Sequence, residues 1–297
     1  MESCFPGATG QVQIANMALT DKGLLLLTKS SRLYLVAELK RDDTAVQETL
    51  AAELTKTRQA AQRQGQEFEA NLAWARQWWQ GAAAQKWLAA RGQQGPSNMV
   101  FHLADGIDTT FIWIDPLKMW VGQFEITAQE FGELDRQHIS CFRGLDPTSR
   151  CPMVFHDWRD HVGCLENQLK ARFAKQLPKG YGFRRPTARE WMAFARCGTQ
   201  RNYPWGDEWP PKYGNYNYVN GYEDGFDRLA PVDKSGENEW GLYGVGGNAW
   251  EVCLDGKGRG ASCKEWVQNA LRIDHREFVA GWNSCVGVRF VIGLRLK

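Results

Sequence analysis

Apolar and polar positions alternate in short patches near the start of the chain. Residues 11–40 contain the runs QVQIANMAL and GLLLLTKSSRLYLVAEL, with turn-forming residues at 21–23 and at 30–31. Short apolar runs bounded by Gly, Asp and Ser are typical of β-strands joined by tight turns. The pattern therefore predicts short strands within residues 11–40.

The pattern becomes helical over residues 42–90. This segment has no proline, its only glycine before Gly81 is Gly65, and it is rich in Ala, Gln, Glu and Arg, which favour helices. Apolar residues recur at a helical spacing, at Val46, Leu50, Leu54, Ala61, Phe68, Leu72, Ala75 and Trp79. We expect one long helix that is N-capped by Asp42 or Asp43, with a possible break near Gly65, and a short second helix over residues 82–90.

An apolar stripe on a helix has to pack against something. Two interpretations stay open: the stripe is core, or it is a surface for a partner or for self-association, with Leu50, Leu54 and Leu72 as contacts. The stretch RGQQGPS at 91–97 is typical of a polar linker. We therefore predict an N-terminal segment at 1–97 and a second domain at 98–297.

Residues 98–297 carry local signals for further strands and helices. A β-branched and aromatic run at 110–114 predicts a strand. Thr127 with Glu130, and Thr187 with Glu190, have the spacing of capping boxes, in which two side chains satisfy the backbone N–H groups at a helix start. The sequence predicts helices after both threonines, the second at 188–197.

Composition and charge narrow the classes of function. The formal net charge of +2 gives no argument for binding nucleic acid or an anionic membrane. The first ten residues do not resemble a secretory signal, and the longest apolar run, at 24–27, is too short to span a bilayer. We therefore expect a cytoplasmic protein. Its eight cysteines then fit as buried or unreactive thiols, with a disulfide or a reactive pair as the alternative. Without a CxxC spacing we expect no structural zinc site.

Five fragments in a fixed order carry a family resemblance. They are RRPTAREW at 184–191, YPWGD at 203–207, GLYGVGGNAWEV at 241–252, RGAS at 259–262 and GVRF at 287–290. From about residue 113 onward the chain resembles the formylglycine-generating-enzyme (sulfatase-modifying-factor) family. The resemblance implies an α+β, C-type-lectin-like fold that is rich in loops, here behind an N-terminal helical segment. It also implies a helix at about 157–176, because residues 151–158 resemble the entry to the family's second helix. The 14 Trp and 30 Gly suit such a fold, because indoles fill cores and glycines allow tight turns.

The loop NYNYVNGYEDGF at 215–226 carries oxygen donors of the kind that calcium prefers. Asn and Asp also favour turns without any metal, so the residues alone leave both interpretations open. The resemblance implies a calcium site here. Its ligands would be the side chains of Asn215 and Asp224 and the carbonyls of Tyr216 and Phe226.

The resemblance also implies a second calcium site at the GNAWEV turn. Its ligands would be the carbonyls of Gly247 and Ala249 and the carboxylate of Glu251. The family's other usual ligand is an Asp or Asn three residues before Gly247, where this chain has Gly244. That departure removes one oxygen from the shell, so we expect the second site to be weaker than the first.

The resemblance implies an active site that this chain departs from. The family's oxidase holds copper(I) between two thiolates, about three and eight residues after the serine of its R-G-G-S motif. Ser262 sets this register, and the two positions hold Glu265 and Ala270, so no copper is expected. Cys263 and Cys285 are out of register. They are either a shifted thiolate pair or structural cysteines on neighbouring strands.

Two other branches of the family bear on function. One makes sulfoxides with iron held by three histidines of an N-terminal domain, and residues 1–101 contain no histidine. The other displays a variable C-terminal surface, as in targets of diversity-generating retroelements. The matching stretch here is 264–285, where Trp266, His275, Phe278 and Trp282 are either binding anchors or core.

We therefore expect a non-catalytic protein-binding module, a pseudo-enzyme that uses a formylglycine-generating-enzyme-like scaffold to recognise a protein partner. The product of a neighbouring gene is the first candidate for that partner. Two alternatives stay open. One is a copper-dependent oxidase acting on a cysteine or thiol substrate, and the other is a retroelement-diversified ligand-binding receptor.

Overall fold

The computed structural model describes residues 14–20, 23–28, 33–36, 44–136, 146, 148–155, 158–217, 219, 221–277 and 285–296, with side chains from residue 51 onward. The chain divides into two compact units, residues 1–63 and 64–297. None of the described helices combines the length and the hydropathy needed to cross a membrane.

The first unit contains the predicted strands. These are β1 (Ile14–Thr20), β2 (Gly23–Thr28) and β3 (Leu33–Val36), which form an antiparallel sheet in the order β1-β2-β3. Leu19 of β1 pairs with Leu24 of β2, and Leu25 of β2 pairs with Leu35 of β3. The prediction of short strands within residues 11–40 is confirmed.

The helical pattern forms α1 (Thr44–Gln80) and α2 (Ala82–Ala89). α1 runs through Gly65 without a break, so the long helix and the short second helix are confirmed. Residues 51–64 are exposed, whereas shielded positions then recur at intervals of three and four residues. Those positions are Gly65, Phe68, Asn71, Leu72, Ala75, Trp78 and Trp79. Among the α1 side chains that the structure describes, from residue 51 onward, the stripe is therefore shielded only from Gly65 to Trp79.

Two sheets form the framework of the second unit. The larger contains β4 (Met99–Ala104), β5 (Ile107–Ile114), β6 (Met119–Gly122), β7 (Tyr181–Arg184) and β11 (Val291–Leu294), in the antiparallel order β4-β5-β6-β11-β7. The smaller contains β8 (Trp250–Val252), β9 (Gly258–Arg259) and β10 (Val286–Gly287), in the order β10-β8-β9. β10 is parallel to β8, which brings Cys285, the residue before β10, alongside Trp250 of the GNAWEV turn.

Three α-helices complete the second unit: α3 (Ala128–Leu134), α4 (Trp158–Phe173) and α5 (Ala188–Arg196). Short 3-10 helices lie at Asp115–Leu117, Ala174–Gln176 and Gln268–Leu271. Thr127 with Glu130 and Thr187 with Glu190 form the two predicted capping boxes, each with both reciprocal hydrogen bonds. The helix predicted at 157–176 ends as an α-helix at Phe173 and continues as a 3-10 turn.

The end of α1 packs into the core of the second unit through an aromatic cluster. The Trp79 indole lies 4.9 Å from the Trp113 ring and 5.6 Å from the Trp120 ring, between ring centroids. Trp79 Nε1 donates to Tyr181 Oη at 2.8 Å, and that hydroxyl donates to the Lys118 carbonyl at 2.8 Å. These contacts satisfy the polar atoms that the buried rings carry. The domain boundary between residues 97 and 98 stays a prediction about independent folding.

Candidate functional site

The GNAWEV turn is fixed by the side chain of Asn248. This residue has a φ of 62° and is fully buried. Its Oδ1 accepts from Ala230 N and from Asn215 Nδ2, both at 3.0 Å, and its Nδ2 donates to the Ala230 carbonyl at 3.2 Å. At Gly247 a Cβ would overlap the Asn215 carbonyl, so only glycine allows this approach. The turn therefore anchors the start of the loop at 215–226.

The structure brings the Asp224 carboxylate to the backbone N–H groups of the two residues whose carbonyls are the other implied ligands of the first calcium site. Asp224 Oδ2 accepts from Tyr216 N at 2.7 Å, and Asp224 Oδ1 accepts from Phe226 N at 2.8 Å. Asn215 Nδ2 donates to the Arg228 carbonyl at 2.7 Å, as well as to Asn248. These hydrogen bonds orient the Asn215 amide and close the loop on Asp224.

The Asn215 amide oxygen is the strongest sign that this loop fits a cation. Asn215 is 1% exposed, and its Oδ1 has no hydrogen-bond partner among the described residues. A buried polar atom without a partner costs about 1–3 kcal/mol. Calcium takes amide, carboxylate and carbonyl oxygens, which are the donor types that this loop provides. The residues Asn215, Tyr216, Asp224 and Phe226 therefore fit the implied site.

The second implied site has a different environment. The Glu251 carboxylate accepts two hydrogen bonds that would compete with a cation. Arg289 Nη2 donates to its Oε1 at 2.6 Å, and Trp191 Nε1 donates to its Oε2 at 2.7 Å. Both charged side chains are buried. A calcium ion at the carbonyls of Gly247 and Ala249 would thus meet a carboxylate that Arg289 already neutralises.

The Glu125 carboxyl lies beside Gly244, the position at which the resemblance implies a further calcium ligand. A Cβ at Gly244 would overlap Glu125 Oε2, so the Glu125 carboxyl fills the space beside Gly244. Glu125 is fully buried, and its Oε1 accepts from Ala249 N at 3.2 Å. Burial raises the pKa of Glu125 well above its ordinary value; the Arg289 charge opposes this rise and the Glu251 charge adds to it. No signal in the sequence indicated this placement, because Glu125 and Ala249 are far apart along the chain.

The two positions in the register of the family's catalytic cysteines carry no sulfur. Glu265 is half-buried, its N donates to the Ser262 carbonyl at 3.0 Å, and its carbonyl accepts from Asn217 N at 3.0 Å. Burial raises the pKa of the Glu265 carboxyl, and a hydrogen bond with the Trp250 side chain opposes the rise. Ala270 is buried in the 3-10 helix Gln268–Leu271. A carboxyl group and a methyl group do not fit a copper(I) bis-thiolate centre.

Cys263 and Cys285, by contrast, lie together, with Sγ atoms 3.7 Å apart. All six described cysteines are thiols. The sequence left these two cysteines as either a shifted thiolate pair or structural cysteines on neighbouring strands, but it could not give their separation, which depends on the pairing of β8 with β10. Among the described residues, no three His, Cys, Asp or Glu side chains are grouped as a metal site would require.

The predicted partner-binding residues occupy different environments. Trp266 is 65% exposed, and His275 is half-buried with its ring 5.9 Å from that of Trp250. Leu54, in the first unit, is 52% exposed, and Leu72, in the second, is buried. Phe278, Trp282 and the side chain of Leu50 lie outside the described residues.

Sequence comparisons point to one family of proteins. The chain is 41% identical over 83 residues to a formylglycine-generating enzyme of Thermomonospora curvata, covering 25% of this chain and 27% of that protein. It is 38% identical over 123 residues to the inactive C-alpha-formylglycine-generating enzyme 2 of Bos taurus, covering 39% of this chain and 36% of that protein. The chain thus spans about a quarter to a third of the length of these relatives.

Comparison of structures supports the fold. The solved structure of Treponema denticola variable protein 1 superposes with a TM-score of 0.52 at 16% identity, covering 67% of this chain and 99% of that one. The mixed sheets and helices of the second unit are those expected of an α+β, C-type-lectin-like fold. The sulfatase-modifying factor enzyme 1-like domain matches residues 113–285, more than half of the chain. This chain therefore belongs to the formylglycine-generating-enzyme (sulfatase-modifying-factor) family.

Proposed function

We propose that this chain is a non-catalytic member of its family that recognises a protein partner. The observation that carries the proposal is the chemistry of the segment after Ser262. Where relatives of the oxidase type hold their two thiols, this chain has Glu265 and Ala270, and between them the indole of Trp266 is 65% exposed. A segment that lacks the reactive groups but presents a large apolar ring is better suited to contact than to oxidation.

The neighbourhood of Trp266 supports a contact surface. Val267 follows it and is 46% exposed, so two consecutive apolar side chains face solvent. Lys264 is exposed and Glu265 is half-buried, which places charged groups beside the apolar pair. Apolar anchors with a polar rim are typical of protein–protein interfaces, and Trp is enriched among the residues that dominate binding energy.

The similarity to an inactive relative agrees with this proposal. The 38% identity to inactive C-alpha-formylglycine-generating enzyme 2 covers about a third of that protein. For this chain we propose the same separation of scaffold from catalysis, in a cytoplasmic protein whose loop at 215–226 binds calcium. The partner we propose first is a protein encoded by a neighbouring gene.

The test of this proposal is a pull-down of the products of neighbouring genes with the purified chain. Trp266→Ala and Val267→Ser should reduce capture at least tenfold, since a central anchor at an interface contributes about 1.4 kcal/mol or more. Trp74→Ala and Val100→Ser are matched controls, because these side chains are also exposed, at 46% and 58%. Equal loss with the controls, or capture unaffected by all four changes, would contradict the proposal.

One observation favours the second candidate, a copper-dependent oxidase with displaced thiols. It is the 3.7 Å separation of Cys263 Sγ and Cys285 Sγ, since soft thiolates are copper(I) ligands. A peptide substrate containing cysteine, incubated with the copper-loaded chain and a thiol reductant, distinguishes the two candidates. We expect no formylglycine. Turnover that Cys285→Ser abolishes would overturn the pseudo-enzyme proposal.

A further inference from the structure

Cys263 and Cys285 are held side by side by the same short piece of backbone. Cys263 N donates to the Asn248 carbonyl at 2.9 Å, and the Cys285 carbonyl accepts from Trp250 N at 2.7 Å. Asn248 and Trp250, which make these two hydrogen bonds, are two residues apart at the start of β8. The Cα atoms of both cysteines are thereby fixed by backbone hydrogen bonds, and the two Sγ atoms lie 3.7 Å apart.

We propose that Cys263 and Cys285 are a redox-modification site that forms a reversible intramolecular disulfide, with a low-molecular-weight disulfide as the oxidant. A disulfide needs the sulfur atoms at about 2 Å, so they must approach by less than 2 Å, which side-chain rotation can provide. The bond would close a loop around residues 264–284, which include the exposed Trp266.

The electrostatic surroundings distinguish the attacking sulfur from the resolving one. The hydrogen bond from Cys263, helped by the charges of Lys264 and Arg228, lowers the pKa of Cys285 to about 7 against the effect of burial. The pKa of Cys263 is raised, first because its thiol is hydrogen-bonded to Cys285 and then because it is buried. Cys285 is therefore the thiolate that reacts first.

The chemistry is a balanced thiol–disulfide exchange. The Cys285 thiolate attacks one sulfur of the oxidant RSSR, which forms Cys285–S–SR and releases RS⁻. Cys263 then loses its proton and attacks Cys285 Sγ, which forms the Cys263–Cys285 bond and releases the second RS⁻. The two protein thiols lose two electrons, RSSR gains them, and the two thiol protons leave on the two RSH products.

The other described cysteines do not share these properties. Cys253 is completely buried and burial raises the pKa of its thiol, so it is neither accessible nor ionised. Burial also raises the pKa of Cys197, to about 12. Cys263 and Cys285 keep exposed fractions of 6% and 8%, against 0% for Cys253.

The proposal is tested on the full chain with glutathione as the redox buffer. The reduced protein is equilibrated with mixtures of oxidised and reduced glutathione, remaining thiols are alkylated, and peptides are mapped by mass spectrometry. We expect loss of both thiols, a peptide linkage between Cys263 and Cys285 that reductant reverses, and a higher melting temperature of the oxidised form. Both thiols remaining alkylatable under oxidising conditions would overturn the proposal.

Variants test separately whether Cys285 attacks the oxidant first and whether Cys263 then resolves the mixed disulfide. In Cys263→Ser the resolving thiol is gone, so glutathione should accumulate on Cys285. Cys164→Ser, a control on α4 outside this pair, should form the Cys263–Cys285 linkage as the unaltered chain does. If the unaltered chain itself accumulates glutathione on Cys285 and never forms the linkage, the resolving role of Cys263 is wrong.

Discussion

Arg289 and Glu251 form an ion pair in the interior of the second unit, with Nη2 2.6 Å from Oε1 and almost no exposure of either side chain. Arg289 Nε also lies 3.0 Å from Glu251 Oε1. Its other donors reach the carbonyls of Gly122, Gln123 and Tyr243. The arginine of the GVRF fragment thus ties the GNAWEV turn to β6 with every N–H group used, which is the condition under which a buried ion pair is tolerated.

The first prediction concerns the loss of this arginine. Arg289→Met should lower the free energy of unfolding by about 3–5 kcal/mol, because the Glu251 carboxylate would stay buried without its counter-charge. Urea denaturation measures the change. Arg272→Ala is the control, because its pair with Asp274 is partly exposed and should contribute less than about 1 kcal/mol. Similar losses in both variants would contradict the prediction.

The second prediction concerns the pH dependence that Glu125 imposes. Its pKa is raised in the folded state by burial, so the folded chain holds a proton that the unfolded chain releases above its ordinary pKa of 4.5. Stability from this group is present below that value and is lost as the pH rises toward the folded pKa. Glutamine is neutral at every pH, so Glu125→Gln removes the cost of keeping a buried carboxyl protonated. The stability of the variant relative to the unaltered chain should therefore increase from about pH 5 to about pH 8.

Glu190 provides a control of opposite sign. Burial opposes its ionisation, but the Arg184 guanidinium, with two hydrogen bonds of 2.7 Å, leaves the pKa of Glu190 lower than usual. The stabilisation of the folded chain by ionised Glu190 is present above the pKa that this residue has in the unfolded chain, and it is lost as the pH falls. Glu190→Gln should therefore destabilise the chain at neutral pH and matter less in acid. If both variants shifted in the same direction with pH, the explanation from burial and pairing would be wrong.

The third prediction concerns calcium. If the loop at 215–226 binds the ion in the folded state alone, calcium at about 100-fold over its dissociation constant should stabilise the second unit by about 2.7 kcal/mol. Thermal melts with calcium and with a chelator measure this difference. Asp224→Asn should remove most of it, whereas Asp227→Asn, an exposed neighbour, should keep it. Identical melts of the unaltered chain with calcium and with chelator would refute the site.

Features set by short-range chemistry could be predicted from the sequence. The Thr187 and Glu190 capping box needs only a spacing of three residues, and the helix formers predict the long helix, although they left open a break near Gly65 that α1 does not have. The geometry of contacts between distant segments could not be predicted. The separation of Cys263 and Cys285 and the packing of Glu125 against Gly244 depend on how the strands assemble, and no periodic pattern records that assembly.

The last prediction separates the two interpretations of the apolar stripe on α1. Leu72 is buried, so Leu72→Asp should lower the free energy of unfolding by at least about 1.5–3 kcal/mol, the contribution of a large buried apolar side chain. Leu54 is 52% exposed, so Leu54→Asp should change stability by less than about 0.5 kcal/mol. If the first half of α1 is a contact surface, Leu54→Asp should also abolish association in sedimentation or pull-down experiments.

Denaturation followed by tryptophan fluorescence reports the core around Trp79 in both variants. A stable Leu72→Asp chain would show that the shielded half of the stripe is not core. A Leu54→Asp chain with unchanged stability and unchanged association would show that the exposed half is neither core nor interface.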